Sequence, residues 1–186
     1  MAFTKLAKRG YGQLELNFAA FRRSGDIEAK CKIADGIPFI ENGMFLAVDR
    51  ATYTVGYPTG AKGEIVALNY TTEHMYDERR KALKDFKLDA GTFLPRLGYI
   101  GRADKFTTNT VCYEASYNGD GEETTDFSAF KYGRPCVKKG FEGYIELVTD
   151  REPTLEEGET AAPVCVEVME ITTMPDGQKA VKFAGL

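Results

Sequence analysis

The 186-residue sequence has no tryptophan, one histidine (His74) and no closely spaced pair of cysteines. A Ser or Cys catalytic triad needs a histidine base, and no Gly-x-Ser-x-Gly motif accompanies His74, so we do not expect acyl-transfer chemistry. A zinc site needs ligands at short spacing, and a disulfide framework is typical of smaller secreted domains. We therefore expect four reduced, mostly buried thiols at Cys31, Cys112, Cys136 and Cys165.

Long apolar runs are also missing. No stretch approaches the roughly 20 apolar residues of a membrane span, and Lys5, Lys8 and Arg9 interrupt the N-terminus before any apolar signal-peptide core. We therefore expect a protein of the cytosol, or one assembled from it, with no membrane partner. The net charge of −4 argues against nucleic acid as a direct partner, because phosphate binding uses clustered Lys and Arg.

Two loops approach ligand-binding motifs without completing them. Residues 56–63 contain Gly and Lys, but Ala61 stands where a phosphate-binding loop has its second Gly. From Asn118, three oxygen-bearing residues fit a calcium loop, but Glu123 stands where that loop requires Gly. The sequence therefore predicts no cofactor, no metal and no enzymatic activity.

Short β-strands between Gly turns are the dominant pattern. Alternating apolar and polar residues predict strands at 13–18 and 27–33, and a continuous apolar run at 44–48 predicts a strand covered on both faces. Pro175 and Gly177 predict a hairpin turn near the C-terminus. Further strands are predicted at residues 53–55, 64–70, 98–100, 106–113, 127–132, 143–148, 164–173 and 179–183.

Residues 72–86 break this period, because their apolar residues share one helical face, and they predict a short helix. We expect a mainly β fold, a β-barrel or β-sandwich-like single unit with one or two short helices. Residues 1–12 form either a mobile arm or one strand of the sheet. Residues 13–186 form the β-rich domain, in which residues 114–186 are a candidate distinct sub-region.

Charge is segregated into blocks along the chain. Residues 1–25 and 128–141 each carry a net charge of +4, whereas residues 114–127 carry −5 and residues 150–159 carry −4. Such blocks suit charge pairing with a partner or between copies, and ordinary solvated loops can have the same pattern. The candidate partner-interface residues are the cations of the two basic blocks: Lys5, Lys8, Arg9, Arg22, Arg23, Lys131, Arg134, Lys138 and Lys139.

Three stretches follow one another in the first two thirds of the chain: residues 37–49 (IPFIENGMFLAVD), residues 64–73 (EIVALNYTTE) after a Gly-punctuated loop, and the basic segment 76–86. In this pattern, residues 36–113 resemble small virion structural proteins of tailed bacteriophages, in particular head decoration or minor capsid proteins. Residues 114–186 lie outside the resemblance. It implies a virion protein, assembled in the host cytoplasm, that binds the major capsid protein and neighbouring copies of itself and so stabilises the capsid lattice.

Other interpretations remain open at this point. A tail or head-completion component of the virion would differ from a decoration protein in copy number. A cytosolic ligand-binding β-barrel would have a deep closed pocket lined by Phe and Tyr. An enzyme that uses carboxylates alone would have two acids facing each other across a cleft. For a decoration protein, we expect residues 1–12 to be less ordered in the free protein and to contact a neighbour. We also expect that reversing Lys131, Arg134, Lys138 and Lys139 weakens binding with little change in thermal unfolding.

Overall fold

The computed structural model describes residues 2–19, 21, 24–73, 82–91, 94–152 and 160–186. Its strands, in chain order, are β1 (Ala2–Lys5), β2 (Leu14–Glu15), β3 (Ile27–Glu28), β4 (Lys32–Ile33), β5 (Phe39–Ile40), β6 (Phe45–Asp49), β7 (Thr54–Gly56), β8 (Val66–Asn69), β9 (Leu88–Asp89), β10 (Leu97–Gly98), β11 (Lys105–Thr108), β12 (Val111–Ala115), β13 (Tyr132–Pro135), β14 (Ile145–Val148), β15 (Val166–Thr173) and β16 (Lys179–Gly185). The helical parts of these ranges are three single-turn 3-10 helices, Ser24–Asp26, Leu83–Asp85 and Phe127–Ala129. The fold is mainly β, which confirms the prediction.

The strands form two large sheets. The eight-stranded sheet has the order β1-β12-β14-β13-β15-β16-β11-β2, the six-stranded sheet has the order β3-β10-β8-β6-β7-β4, and β5 pairs with β9. Neighbouring strands are antiparallel except for β12 with β14 and β4 with β7. The eight-stranded sheet stays open, because its edge strands β1 and β2 do not pair with each other. The fold is therefore sandwich-like and not a closed barrel.

Two hydrophobic cores are shared between the large sheets. One core contains Phe106 and Phe183 of the eight-stranded sheet together with Phe45 of the six-stranded sheet. The other contains Leu46 of the six-stranded sheet and Cys112 of the eight-stranded sheet. Successive side chains of a strand point to opposite faces, so Phe45 and Leu46 enter different cores, which explains the continuous apolar run at 44–48. Fully burying one such side chain contributes about 1.5–3 kcal/mol.

The C-terminal hairpin forms where the turn residues predict it. The N–H of Met174 donates to the carbonyl of Gln178 at 2.8 Å, and the N–H of Gly177 donates to the carbonyl of Met174 at 2.8 Å. Gly177 has a φ of 79°, a value that costs glycine little, and Pro175 has its φ fixed by its ring. β15 and β16 then pair along almost their whole length, with one irregularity between Val168 and Glu170.

The strand predicted at 106–113 is divided into β11 and β12. Asn109 and Thr110 interrupt it, since both are buried and both bond to other segments of the chain. Asn109 Oδ1 accepts from the N–H of Gln13 at 2.7 Å, and Thr110 Oγ1 donates to the carbonyl of Asn42 at 2.5 Å. These bonds replace the ladder at the interruption, because buried polar groups must find partners.

Two other predicted strands are also divided. Residues 27–33 become β3 and β4, which lie at opposite edges of the six-stranded sheet. Residues 127–132 begin with the 3-10 helix Phe127–Ala129, and β13 starts only at Tyr132. The carboxylate of Asp126 caps this helix by accepting from the N–H of Ser128 at 2.9 Å.

The N-terminal segment is a strand and not a free arm. β1 pairs antiparallel with β12 from Ala2 to Lys5, and the next residue, Leu6, is buried in a core. Of the two alternatives for residues 1–12, an arm or one strand of the sheet, residues 2–5 adopt the strand, and Leu6 after them buries apolar surface. Deleting residues 2–10 would remove an edge strand and a core residue, so the folded structure would not be left intact.

The boundary drawn at residue 114 is not a division of the fold. β12 runs through residue 114, pairing with β1 on one side and with β14 on the other. Residues 114–186 therefore share the eight-stranded sheet with residues 2–5, 14–15 and 105–113. Most of the predicted helix at 72–86, including His74, lies outside the described residues, and near its end the structure has the 3-10 helix Leu83–Asp85.

Candidate partner-binding surface

The tip of the β15–β16 hairpin holds residues 8–13 in place. The N–H groups of Lys8 and Arg9 both donate to Gln178 Oε1, at 3.1 and 2.9 Å, and Gln178 Nε2 donates to the carbonyl of Arg9 at 3.1 Å. Asp176 Oδ2 accepts from Gln178 at 2.6 Å and from Gln13 Nε2 at 2.9 Å. The buried side chain of Gln178 thus bonds the backbone of residues 8–9 as a neighbouring strand would, while both cationic side chains stay exposed.

An open pocket of about 390 Å³, here called the basic pocket, lies beside this segment. The rings of Tyr113 and Phe127 meet edge to face there, 4.9 Å apart, and Lys179 Nζ lies 4.0 Å from the centre of the Phe127 ring. Its cations make no salt bridge to any carboxylate of the described residues. The pocket is lined by Leu6, Lys8, Arg9, Tyr113, Glu123, Thr125, Phe127, Gln178 and Lys179, so three cations face one acid.

Tyr113 joins the basic pocket to the acidic block at 114–127. Its hydroxyl donates to Glu123 Oε1 at 2.7 Å. Burial, and then the hydrogen bond to Glu123, raise the pKa of Tyr113, so its hydroxyl stays protonated as a donor at neutral pH. The loop beyond it is a hairpin tip, in which Asn118 Oδ1 accepts from the N–H groups of Asp120 and Glu122 at 3.1 and 2.8 Å.

Lys5 is part of a buried chain of hydrogen bonds. Its Nζ donates to Tyr144 Oη at 2.7 Å, and that hydroxyl donates to Glu41 Oε1 at 2.6 Å. The other carboxylate oxygen of Glu41 accepts from the N–H of Gly12 at 2.6 Å. Burial, and then the charge of Glu41, raise the pKa of Tyr144. Lys5 therefore helps to balance a buried carboxylate, and it connects β1 to the start of β14.

Arg134 and Lys138 converge on one buried carboxylate. Arg134 Nε lies 2.8 Å from Glu146 Oε2, and Lys138 Nζ lies 3.2 Å from Glu146 Oε1. Arg134 and Glu146 are only 8% and 5% exposed. This corrects the prediction that reversing the basic block changes thermal unfolding little, because Arg134→Glu would place two carboxylates together in a buried site.

A wide open groove of about 1,070 Å³, here called the acidic groove, lies above this ion cluster. Its charged lining residues are Glu114, Arg134, Lys138, Glu142, Glu146, Asp150 and Glu152, so five acids face two cations. Its apolar lining includes Phe3, Tyr57, Pro58, Phe130, Val137 and Val148. Glu114, Asp150 and Glu152 are exposed and make no salt bridge to a cation in the part of the chain that the structure describes.

β1 is the edge of the eight-stranded sheet next to this groove. The N–H of Leu6 donates to the carbonyl of Val111 at 2.8 Å. Since hydrogen-bonded and non-hydrogen-bonded pairs alternate in an antiparallel ladder, Ala2 and Thr4 bond to β12, and the backbone groups of Phe3 and Lys5 point away from it. The Phe3 ring packs edge to face on Phe141, with centres 4.8 Å apart.

The candidate interface cations therefore lie in several environments. Lys8 and Arg9 line the basic pocket, Arg134 and Lys138 line the acidic groove, and Lys5 lies in the buried hydrogen-bond chain. Lys139 is exposed, and so is Lys131, whose Nζ donates to the carbonyl of Ser128 at 2.9 Å. Arg22 and Arg23 lie outside the described residues.

Sequence reasoning missed Lys179 and the acids of the groove. Lys179 follows the hairpin turn and carried no charge-block signal of its own. Glu114, Asp150 and Glu152 belong to acidic blocks that the sequence analysis did recognise, but the block pattern could not show that they face the same groove. Only the pairing of β12 with β14 brings residue 114 close to the segment that follows β14.

The four cysteines are free thiols, three buried and Cys165 half-buried, in agreement with the prediction. Burial raises the pKa of Cys165 to about 12, and burial also raises the pKa of Cys112. Both thiols are therefore protonated at neutral pH. Among the described residues, no group of three or more His, Cys, Asp or Glu side chains is placed to hold a metal ion. Within the same residues, no helix is long and apolar enough to cross a membrane.

Comparisons with known proteins identify no relative of this chain. No protein-family model matches the chain, and neither the curated proteins nor the solved structures gave a match.

Proposed function

We propose that this chain is a non-enzymatic structural protein of a tailed-bacteriophage particle, a capsid decoration protein that binds the major capsid protein and neighbouring copies of itself. The proposal starts from the resemblance of residues 36–113. The observation that carries it is a pair of open concavities of opposite charge, the basic pocket and the acidic groove, on one open sheet. A protein that stabilises a lattice must contact more than one neighbour, and two surfaces of opposite charge allow two different contacts.

The build of the sheet supports a mechanical role. The first strand is fixed by β12 and by the bond of Lys5 to Tyr144, and residues 8–9 after it are fixed by the hairpin tip. Both concavities use residues of this N-terminal segment, so a load applied at either surface passes directly into the sheet. A rigid binding surface also loses little conformational entropy when it docks.

The test is the copy number of the chain in purified phage particles, measured by quantitative mass spectrometry. A decoration protein is expected in an amount comparable with that of the major capsid protein, because it occupies a repeated lattice site. A handful of copies would instead indicate the alternative of a tail or head-completion component. Absence from the particles would contradict a virion role altogether.

A further inference from the structure

We propose that the acidic groove and the outer edge of β1 together bind an extended, basic segment of a partner protein, which adds a strand to the eight-stranded sheet. This inference rests on the proposed function only for the partner's identity as a particle protein. The chemistry of the segment follows from the groove and the strand edge alone.

The backbone of β1 provides the first part of the site. The N–H and C=O groups of Phe3 and Lys5 point away from β12, and within the described ranges no backbone group pairs with them. An exposed strand edge of this kind accepts an extended segment, whose main chain supplies the hydrogen bonds. β1 is only four residues long, so a few such bonds are available and the side chains must supply the rest of the affinity.

The side chains of the groove provide the second part. In an added strand, alternate side chains would lie on the sheet face that carries Phe3 and Glu114, which are opposite one another across β1 and β12. Strands are about 4.8 Å apart, so a Lys or Arg side chain on the added strand can extend over β1 towards Glu114. Asp150 and Glu152, at the end of the groove that follows β14, offer two more exposed carboxylates.

The buried ion cluster explains why the groove selects cations although it contains two of its own. Arg134 and Lys138 already share Glu146, and Lys138 Nζ also lies 4.2 Å from the centre of the Phe3 ring. Both cations are thus engaged within the protein. The groove carboxylates that make no salt bridge in the described chain are the exposed Glu114, Asp150 and Glu152 and the half-buried Glu142, so the groove attracts a basic segment and repels an acidic one.

The experiment uses the full-length protein and a fluorescein-labelled peptide of about eight residues in which Lys and Val alternate, read by fluorescence anisotropy. A Glu-Val peptide of the same length tests charge. A Lys-Pro peptide with the same charge tests strand pairing, because proline has no N–H and does not fit a ladder. Of the three peptides, we expect only the Lys-Val peptide to bind saturably. Salt should weaken this binding, because the screening length falls from about 10 Å at 0.1 M to about 3 Å at 1 M.

Matched variants locate the site. Glu114→Gln combined with Asp150→Asn and Glu152→Gln is expected to weaken binding about 10-fold, since exposed pairs each contribute about 0.2–1 kcal/mol. The control combines Asp35→Asn, Glu167→Gln and Glu170→Gln, which are exposed acids outside the groove lining, and it is expected to bind as the unmodified protein does.

Amide hydrogen exchange supplies a readout for the strand edge. On binding the Lys-Val peptide, the amides of Phe3 and Lys5 should become protected, whereas those of Ala2 and Thr4 already bond to β12. Equal binding of the Lys-Pro peptide, unchanged binding by the groove variant, or no gain of protection at Phe3 and Lys5 would each overturn the inference. None of these results depends on the copy number in particles. A negative peptide result would therefore leave the decoration role intact, and a low copy number would leave the peptide-binding site intact.

Discussion

The two basic clusters of the eight-stranded sheet use the same residue types and have opposite roles. In the acidic groove, Arg134 and Lys138 converge on the buried Glu146, so both cations are paired within the protein and share one carboxylate. In the basic pocket, Lys8 and Arg9 are exposed and make no salt bridge to a described carboxylate. The comparison teaches that burial and pairing, and not the presence of a basic block, decide whether a cation supports the fold or is available to a partner.

The largest effect is expected from breaking the buried pair. Glu146→Gln leaves Arg134 buried without its carboxylate, and the free energy of unfolding, measured by urea titration, should fall by about 3–5 kcal/mol. The double variant Arg134→Met with Glu146→Leu removes both charges and should be nearly as stable as the unmodified protein, or more stable. A double variant less stable than the single one would show that the pair stabilises the fold in a way that desolvation does not explain.

The second effect tests what positions the exposed cations. Gln178→Ala removes the acceptor of the Lys8 and Arg9 amides and should cost about 1–3 kcal/mol. Hydrogen exchange at these two amides should then become faster, while exchange in β1 changes less. Lys179→Arg, one residue further along, exposed and still able to place a cation over the Phe127 ring, is the matched control and should change stability by less than about 0.5 kcal/mol. Slow exchange at both amides in Gln178→Ala would mean that another group holds the segment.

The third effect should appear in binding and not in stability. Reversing Lys8, Arg9 and Lys179 to Glu changes only exposed charges, so thermal unfolding of the free protein should shift little. Occupancy on phage particles should fall, and the loss should be largest at low salt. The control reverses Lys30, Lys62 and Arg102, which are exposed and do not line the basic pocket. Equal occupancy of the two triple variants would remove the basic pocket from the proposed interface.

The smallest effect concerns Asp176, at the hairpin tip. Burial tends to raise its pKa, but hydrogen bonds from Gln178 and Gln13 outweigh burial and hold the pKa below its usual value. A carboxyl group whose pKa is lower in the folded state stabilises the fold at any pH above its pKa in the unfolded state. That stabilisation is lost as the pH falls through the pKa of the folded state. The advantage of the unmodified protein over Asp176→Asn in thermal unfolding should therefore shrink below about pH 4. If the stability of both proteins changed with pH in parallel, this prediction would be contradicted. The control is Asp35→Asn, which removes an exposed carboxylate.

The sequence predicts where the strands and turns of this fold lie better than it predicts which segments they pair with. Alternation and turn chemistry locate the hairpin at 174–178 and the strand that begins at Phe45, because both depend on residues close together in the chain. The division of 106–113 at Asn109 could not be read in the same way. Its cause is a hydrogen bond to Gln13, nearly a hundred residues earlier, which no local pattern encodes.

The candidate surface shows the same limit, because the sequence shows which residues are charged but not which of them lie together in the fold. The basic block at 128–141 is plain in the sequence, yet the burial of Arg134 depends on Glu146, which lies across the β13–β14 pair. The cations at 8–9 and 179 lie more than 160 residues apart in the sequence and come together where Gln178 bonds to the backbone of residues 8–9. Charge blocks therefore indicate where cations are available, and tertiary pairing determines which of them reach the surface together.

The bond between the first and last parts of the chain has a consequence for synthesis on the ribosome. Gln178 bonds to the Lys8 amide over a separation of 170 residues, so the segment at residues 8–9 cannot reach its final place until residue 178 has been made. At about 5–20 residues per second, this leaves the segment waiting on the order of 10–30 s. Until β16 has been made, Leu6 also lacks part of its core, because Val181 and Phe183 belong to it, and an exposed apolar residue is a site for association with other nascent chains or for a chaperone. The segment at residues 8–9, which the hairpin tip holds in the finished fold, is thus fixed late while the fold forms.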